Sequence, residues 1–497
     1  MWKKYFFIIS LLPFGGFAQS WEWAKSYETP NTILVDHSQS ISKDENDNLY
    51  ISGFSWRPGG GGYSGMAYNW LKKFDAQGNF VWSDTIPFYT HTKNITDEKG
   101  NTYVVGNGKI VKYNSNGIQL WAVSAAIDFN DLALSDRGLV VTGYTWSYPA
   151  TMGAYSITAE TGIIVECDEN GNILWLNQQY KYGPGAIRIA KNGVIYVQGL
   201  AFDGHDSSVV RLFDLHGNYF QGLIELKNIA SFINIDSKGS IYLIAGINDR
   251  YPIIINSDTI KCFCGSSASS RALLKFDNNG NYQWHKIIKE NVDVSSLIID
   301  SEDNVYVGGN IIRTLQIDSF LLDNKGGGIY IAKFKPDGAV AWIQYSEQGN
   351  PTSQGQINQM VLNSDNDLLI AGAIIDKQIF GDITVTGTDN MYADVLIAKI
   401  SQPRSVSQNE PPINPTNGLT VYPNPTGGAF SVNYQTDEAT SISVIIRNEL
   451  GQTILKKEYG SRSSLSETFD LSNLAKGIYF LQVNTDEAVE VKKIVIE

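Results

Sequence analysis

A ten-residue phrase recurs along this chain. It reads KFDAQGNFVW at 73–82, KYNSNGIQLW at 112–121, ECDENGNILW at 166–175, KFDNNGNYQW at 275–284 and KFKPDGAVAW at 333–342. A weaker copy, LFDLHGNYFQ at 212–221, puts Gln221 in the Trp position. A second phrase alternates with it, an Asp/Asn-rich turn running into a strand that ends in Gly: DENDNLYISG (44–53), DEKGNTYVVG (97–106), SDRGLVVTG (135–143), KNGVIYVQG (191–199), DSKGSIYLIAG (236–246), DSEDNVYVGG (300–309) and NSDNDLLIAG (363–372). Self-similarity at regular spacing marks a unit that cannot bury its faces alone and must stack on its neighbours.

Each phrase reads as strand, tight turn, strand. Gly-Asn or Asp-Asn supplies left-handed backbone at the turn, and the flanks alternate and are rich in β-branched and aromatic residues. Two hairpins in succession make a four-stranded antiparallel sheet, and seven such sheets stacked radially close into a β-propeller. A β-helix or an open array is the competing architecture. The recurring Trp falls on the outermost strand, where a large flat side chain fills the widening gap between blades. The seventh unit reaches its third strand at DVLIAKIS (394–401), and no turn-plus-Trp strand follows. The missing strand lies near the other end, where EWAKSYE (22–28) matches AWIQYSE (341–347), Trp23 aligning with Trp342. A closed ring therefore predicts that 22–28 pairs with 394–401.

The flanking segments have their own signatures. Residues 1–18 read as a cleaved secretory signal: Lys3 and Lys4 precede an apolar run from Tyr5 to Leu12, and Gly16 and Ala18 occupy the −3 and −1 positions of a cleavage site. No later run of 18 apolar residues occurs, so no transmembrane segment is expected in the mature chain. Residues 402–418, QPRSVSQNEPPINPTNG, form a proline-rich linker. Short alternating runs then follow at 429–434, 441–446, 477–483 and 489–497, which predict a small immunoglobulin-like β-sandwich over 419–497. The fold expected for the whole chain is all-β, a seven-bladed propeller at 19–401 closed by its N-terminal strand and followed by that sandwich.

Two resemblances rest on these residues. Units ending AKFD..GN..W, with FGDITVTGTDNMYADVLIAK at 380–399, resemble the secreted bacterial β-propeller repeat proteins over about residues 20–401. That likeness implies architecture and is silent about ligand. The C-terminal segment resembles the type A C-terminal sorting domain of the type IX secretion system of Bacteroidetes. The match is carried by VYPNPTGGAFSV (421–432), RNELGQ (447–452), LAKGIYFLQV (474–483) and KKIVIE (492–497). The motif positions are Pro423, Asn424, Pro425, Gly451, Gly477, Tyr479, Lys492 and Lys493. The resemblance implies an address read by the type IX machinery at the outer membrane, and a product that is secreted or held on the outer cell surface.

Composition narrows the partners. A net charge of −13, with no Lys/Arg run, argues against nucleic acid. The three cysteines, Cys167, Cys262 and Cys264, are too few for a disulfide framework. Cys262 and Cys264, two apart on an expected strand, read as small buried or edge residues, and no His nearby completes a zinc site. The five histidines show no metal-ligand spacing. DENDN (44–48) and DSEDN (300–304) lack the spaced ligands of a calcium loop and are read as self-capping turns. No cofactor, metal or catalytic residue is assigned, and the chain is expected to act as a monomer.

In a propeller the first-to-second and third-to-fourth turns share one face. Here both are tight, and length varies between the second and third strands, at 54–69, 144–162, 247–271, 310–328 and 373–394. Long variable connections on a rigid scaffold are the usual place for binding. Within or beside them Trp56, Arg57, Tyr63, Trp146 and Tyr148 are candidate ligand-binding residues, joined by Tyr180 and Tyr182 on a blade-to-blade connection. Exposed aromatic rings suit sugars or peptide side chains; alternatively they pack the loops onto the scaffold. Around the channel, the position five residues before each inner turn gives Gln39, Thr92, Asp131, Ala186, Ser231, Ser295 and Asn358. Asp131 is the only acid there, too little for a carboxylate pair. The expected function is a binding or adhesion module for a glycan or protein ligand. The alternatives are an extracellular polysaccharide-active hydrolase or lyase with catalytic residues in the loops, and a purely structural surface protein.

Overall fold

The repeated phrases become hairpins because each Asp or Asn caps its own turn. In the computed structural model, Asp44 Oδ1 accepts the backbone N–H groups of Asn46 and Asn48, each at 3.0 Å, and Asn48 Nδ2 donates to Asp44 Oδ2 at 2.9 Å. Asp277 repeats the pattern with Asn279 and Asn281, at 2.9, 2.8 and 2.9 Å. The residue before the last Asn or Asp adopts left-handed backbone. It is Gly280 in one turn (φ 81°) but Asp47, Asp303 and Asn366 in others, at 59°, 65° and 63°. These are three-residue hairpin loops, a type I turn followed by a left-handed residue.

The structure describes residues 20–28, 35–56, 67–88, 91–145, 147–179, 181–201, 207–255, 258–264, 270–289, 292–323, 327–349, 353–388, 392–402, 418–448, 452–485 and 489–496. The chain divides into two units, Met1–Pro403 and Arg404–Glu497, and the described residues contain no helix.

In the first unit, antiparallel strands pair in chain order. Val35–Lys43, Leu49–Trp56, Ala67–Phe74 and Phe80–Ile86 form one four-stranded sheet, and similar sheets begin at Tyr182 and Val292. One six-stranded sheet carries two repeats, because Gln119–Ser135 is the outer strand of one and the inner strand of the next. Divided by the inner-turn phrase, the described strands fall into successive antiparallel sets, most of them of four strands. The last set is completed from the other end: Ser20–Tyr27 pairs antiparallel with Asp394–Ser401, from Ser20 opposite Ser401 to Tyr27 opposite Val395. The expected pairing of 22–28 with 394–401 is thus observed, and the unit is an all-β propeller closed by its N-terminal strand.

The ten-residue phrase joins neighbouring sets. Lys275 Nζ and Trp284 Nε1 both donate to the carbonyl of Pro336, in the next set's outer turn, at 3.0 and 3.2 Å. Lys112 and Trp121 do the same to Glu169, at 3.0 and 2.8 Å. The Trp ring also covers the turn glycine: a Cβ built on Gly171 would fall 2.9 Å from Trp121. Behind the Trp, Tyr306 Oη donates to Asp300 Oδ2 at 2.8 Å, and Lys333 lies 3.2 Å from the same carboxylate and 4.9 Å from the tyrosine ring centroid. The last set has no outer turn among the described residues, since Asp394–Ser401 takes its outer strand from Ser20–Tyr27. Among the described residues the buried Nε1 of Trp342, which would reach that turn, has no hydrogen-bond partner.

In the second unit, the long strands Ala429–Asn448 and Thr453–Asp470 pair along most of their length, with an interruption between Gln435 and Thr440. Gly418–Tyr422 pairs with the first half of Ala429–Asn448, and Gly477–Asn484 with the second half, followed by Val489–Ile496. The strands enclose a core that includes Phe430, Val432, Val444, Ile446, Leu481 and Ile494.

Candidate binding surface and channel

The long second-to-third connections are largely braces. Four of them carry an extra hairpin: Ala150–Met152 with Tyr155–Ile157, Ile253–Ile255 with Asp258–Ile260, Thr314–Ile317 with Phe320–Asp323, and Lys377–Phe380 with Ile383–Thr386. The third extends its neighbour's sheet, Ile317 pairing opposite Ile288. The fourth pairs Ile379 opposite Glu347 of the preceding repeat. Their apolar residues, Ile253, Ile255, Leu315, Ile317 and Phe380 among them, are buried in the core clusters. The third and fourth hairpins therefore bridge adjacent repeats.

The proposed aromatic contacts separate accordingly. Trp56 is partly buried against Val35, Ala373 and Ala393 and packs its connection onto the scaffold. Tyr148 is 56% exposed in the third repeat's connection. Tyr182 is fully buried, a correction to its expected exposure: it opens an inner strand, donates its hydroxyl to Val197 O at 2.8 Å and carries the Arg211 guanidinium 4.1 Å from its ring centroid. Arg57, Tyr63, Trp146 and Tyr180 lie outside the described residues.

A second aromatic group was not anticipated from the sequence. Cys262 and Cys264 form a disulfide, which corrects their reading as unbonded residues on a strand. They lie just beyond Asp258–Ile260, and Phe263 between them turns the chain in left-handed backbone at φ 52°. Phe263 is 82% exposed. Cys264 N donates to Asp249 Oδ1 at 3.1 Å, tying the disulfide to the stretch that holds Arg250 and Tyr251. Tyr251 is 57% exposed, with the Arg250 guanidinium 5.3 Å from its ring centroid. The triplet Cys-Phe-Cys was the available signal: an apolar ring between two thiols that a turn can bring together.

The ring of inner-strand positions has a structural explanation. Inner strands bulge at Gln39, Ser231, Ser295 and Asn358, and the side chains of Gln39, Ser295 and Asn358 reach the neighbouring repeat. Gln39 Oε1 accepts from Thr92 N at 2.9 Å, Ser295 Oγ donates to Ile357 O at 2.6 Å, and Asn358 Nδ2 donates to Ser38 O. In the third repeat the bulge falls on Asn130, not Asp131 as the spacing suggested, because Ser135 closes its turn on Gly138 with one residue fewer than the others. Asn130 Nδ2 donates to Pro184 O at 2.7 Å. Asp131 accepts from Ile187 N and Arg188 Nη1, each at 3.0 Å. Inner-strand residues from six repeats, from Lys93 round to Gln359, line one cavity of about 250 Å³ on the ring axis.

Two of the histidines have structural partners as well. His37 stacks on Phe54 with centroids 5.3 Å apart, and burial lowers its pKa while Asp36 opposes that shift. His91 Nδ1 lies 2.7 Å from Gln39 Nε2. The carboxylates of the acidic turns are engaged by their own backbone and Asn side chains, as described for Asp44 and Asp277.

The sorting positions have a local role in the second unit. Asn424 Oδ1 accepts from Val495 N at 2.8 Å and its Nδ2 donates to Lys493 O at 2.5 Å, fastening the Pro-Asn-Pro segment to the last strand. Pro423, Pro425, Lys492 and Lys493 are exposed, and Tyr479 is buried with its hydroxyl 2.8 Å from Ala475 O. Gly477 opens the strand Gly477–Asn484. Gly451 lies outside the described residues.

Together these features define a β-propeller followed by a small all-β tail. Residues 420–497 match the family described as the secretion system C-terminal sorting domain, here the type IX form, which makes the protein a secreted, cell-surface one. No curated protein matches the chain. Among solved structures, the Dos1 propeller is 11% identical, with 76% of this chain and 95% of that one covered and a TM-score of 0.45. A protein of unknown function from Dyadobacter fermentans DSM 18053 is 10% identical, with 77% and 98% covered and a TM-score of 0.44. The propeller assignment rests on the closed strand order of this chain and not on those scores.

Proposed function

We propose that the protein is a cell-surface binding or adhesion module, meeting a glycan or protein ligand on the face of the second-to-third connections. In this reading residues 1–18 are a cleaved signal, 19–401 a seven-bladed monomeric propeller, 402–418 a linker and 419–497 the address read by the type IX machinery. The observation that supports it most is the exposure of aromatic rings in those connections. Tyr148, Tyr251 and Phe263 stand exposed in second-to-third connections, two of them beside a disulfide-closed turn. An aromatic side chain held open to water at the tip of a braced connection offers a flat apolar face to a sugar ring or a peptide side chain.

The test is a glycan array probed with the purified secreted protein and with a Tyr251→Ala/Phe263→Ala variant. Glycan binding lost in the variant, without turnover of the bound glycan, supports the module. Turnover would favour the enzymatic alternative, and an array without any hit would direct the search to protein ligands through crosslinking at Phe263.

A further inference from the structure

We propose that the axial cavity is a second binding site, one for a small polyhydroxylated carboxylate, a sugar acid by chemistry, whose carboxylate sits on Lys93. The site goes beyond the loop-face reading, since its residues lie on inner strands and, at Gln198, on a second strand, and not in the second-to-third connections. At about 250 Å³ the cavity is smaller than the roughly 300–1,000 Å³ of sites for drug-sized ligands, and suits one sugar-sized ring. The charges within it do not cancel. Asp131 is matched by Arg188 Nη1 and Ile187 N, each at 3.0 Å. Lys93, half-buried at the start of its inner strand, makes no hydrogen bond or ion pair among the described residues. Burial and the Arg188 charge lower its pKa while Asp131 raises it, so a bound carboxylate would supply the missing counter-charge.

The neutral lining narrows the class further. One amide N–H of Asn130 goes to Pro184 O at 2.7 Å, and Gln198 Nε2 donates to Ala230 O at 3.0 Å. Their oxygens accept no hydrogen bond among the described residues and remain as acceptors at the cavity, beside the exposed hydroxyl of Ser231. A bare inorganic anion needs donors on all sides and would be opposed by these acceptors. A solute with one carboxylate and several hydroxyl donors satisfies both kinds of group.

Calorimetric titration of the full chain with glucuronate, glucose and acetate tests the proposal. Glucuronate should bind saturably, and glucose and acetate about tenfold more weakly or worse, since each lacks one half of the match. Lys93→Gln should weaken glucuronate about tenfold or more, while Lys93→Arg stays within a few-fold. Ser231→Tyr, which fills the cavity from its exposed side, gives the same loss if Lys93→Gln does not fold. Tyr251→Ala/Phe263→Ala should leave glucuronate binding unchanged, which separates this site from the loop face. No saturable binding to the wild type, or equal binding by Lys93→Gln, overturns the site. Acetate binding as tightly as glucuronate overturns the sugar-acid assignment.

Discussion

The indole nitrogen of Trp284 lies 3.2 Å from the carbonyl oxygen of Pro336, in a turn that belongs to the next repeat. Stability of the ring therefore depends on contacts between repeats as much as on those within them. Gly171 lies directly under such a ring, Trp121, with its backbone at φ 85°. Gly171→Ala meets both a disfavoured backbone region and the indole, and should cost about 2 kcal/mol or more in denaturant unfolding. Gly246→Ala, where an added Cβ has no neighbour within 4 Å, should stay within about 0.5 kcal/mol.

The seam is the ring's most exposed dependence. Removing residues 1–28 uncovers the edge of Asp394–Ser401 and should replace the cooperative melt with a lower, broader one accompanied by self-association, measured by calorimetry and light scattering. A peptide spanning Ser20–Tyr27, added in excess, should restore the transition. No recovery would mean that the strand does more than fill the edge.

Acid should weaken the propeller through its turn carboxylates. Burial pushes Asp300 up, but hydrogen bonds from Asn304 and Tyr306 and the charge of Lys333 outweigh it and hold the carboxyl below its ordinary value near 3.8. A depressed folded-state pKa contributes stability that is complete above about pH 4 and is lost as pH falls through the folded value. Asp300→Asn should flatten the pH dependence of unfolding below about pH 4. An unchanged slope would assign the acid sensitivity elsewhere.

Tyr182 and Tyr148 should behave oppositely. Tyr182→Phe removes a buried hydrogen bond to Val197 O and should cost about 1 kcal/mol, whereas Tyr148→Ala, at an exposed position, should stay within about 0.5 kcal/mol. Thermal melts of the two variants decide the point.

Deleting residues 420–497 should leave the propeller in the periplasm, read by immunoblotting of cell fractions. Surface display of the truncated protein would refute the tail's role as its address.

What the sequence made legible was local or periodic. The Asp44 and Asp277 turns use side chains two and four residues from their own backbone partners, so their capping is written in the phrase itself. The closing strand was legible because Trp23 repeats the context of Trp342. Tyr182 was misjudged because Lys181, in left-handed backbone at φ 55°, turns the chain directly before it and puts it at the head of an inner strand and not on a connection. Asp131 was placed one position off because the turn from Ser135 to Gly138 is one residue shorter. The Cys262–Cys264 bond depends on a left-handed residue at Phe263, which alternation of strand residues does not announce. The bracing hairpins were hidden for a similar reason: Ile317 meets Ile288 only once the sheets stand side by side.

The pairing of Ala24 with Ala398 sets an order of events. Synthesis runs from the N-terminus, so the first strand is made long before its partner and has nothing to pair with until almost the whole ring exists. A chain cut short anywhere before residue 394 keeps open edges that a complete one has hidden. Since the sorting segment begins at residue 420, soon after the last ring strand, any chain long enough to carry its export address is also long enough to have shut its ring. Completeness and permission to leave are thereby encoded within a few turns of the same stretch of polypeptide.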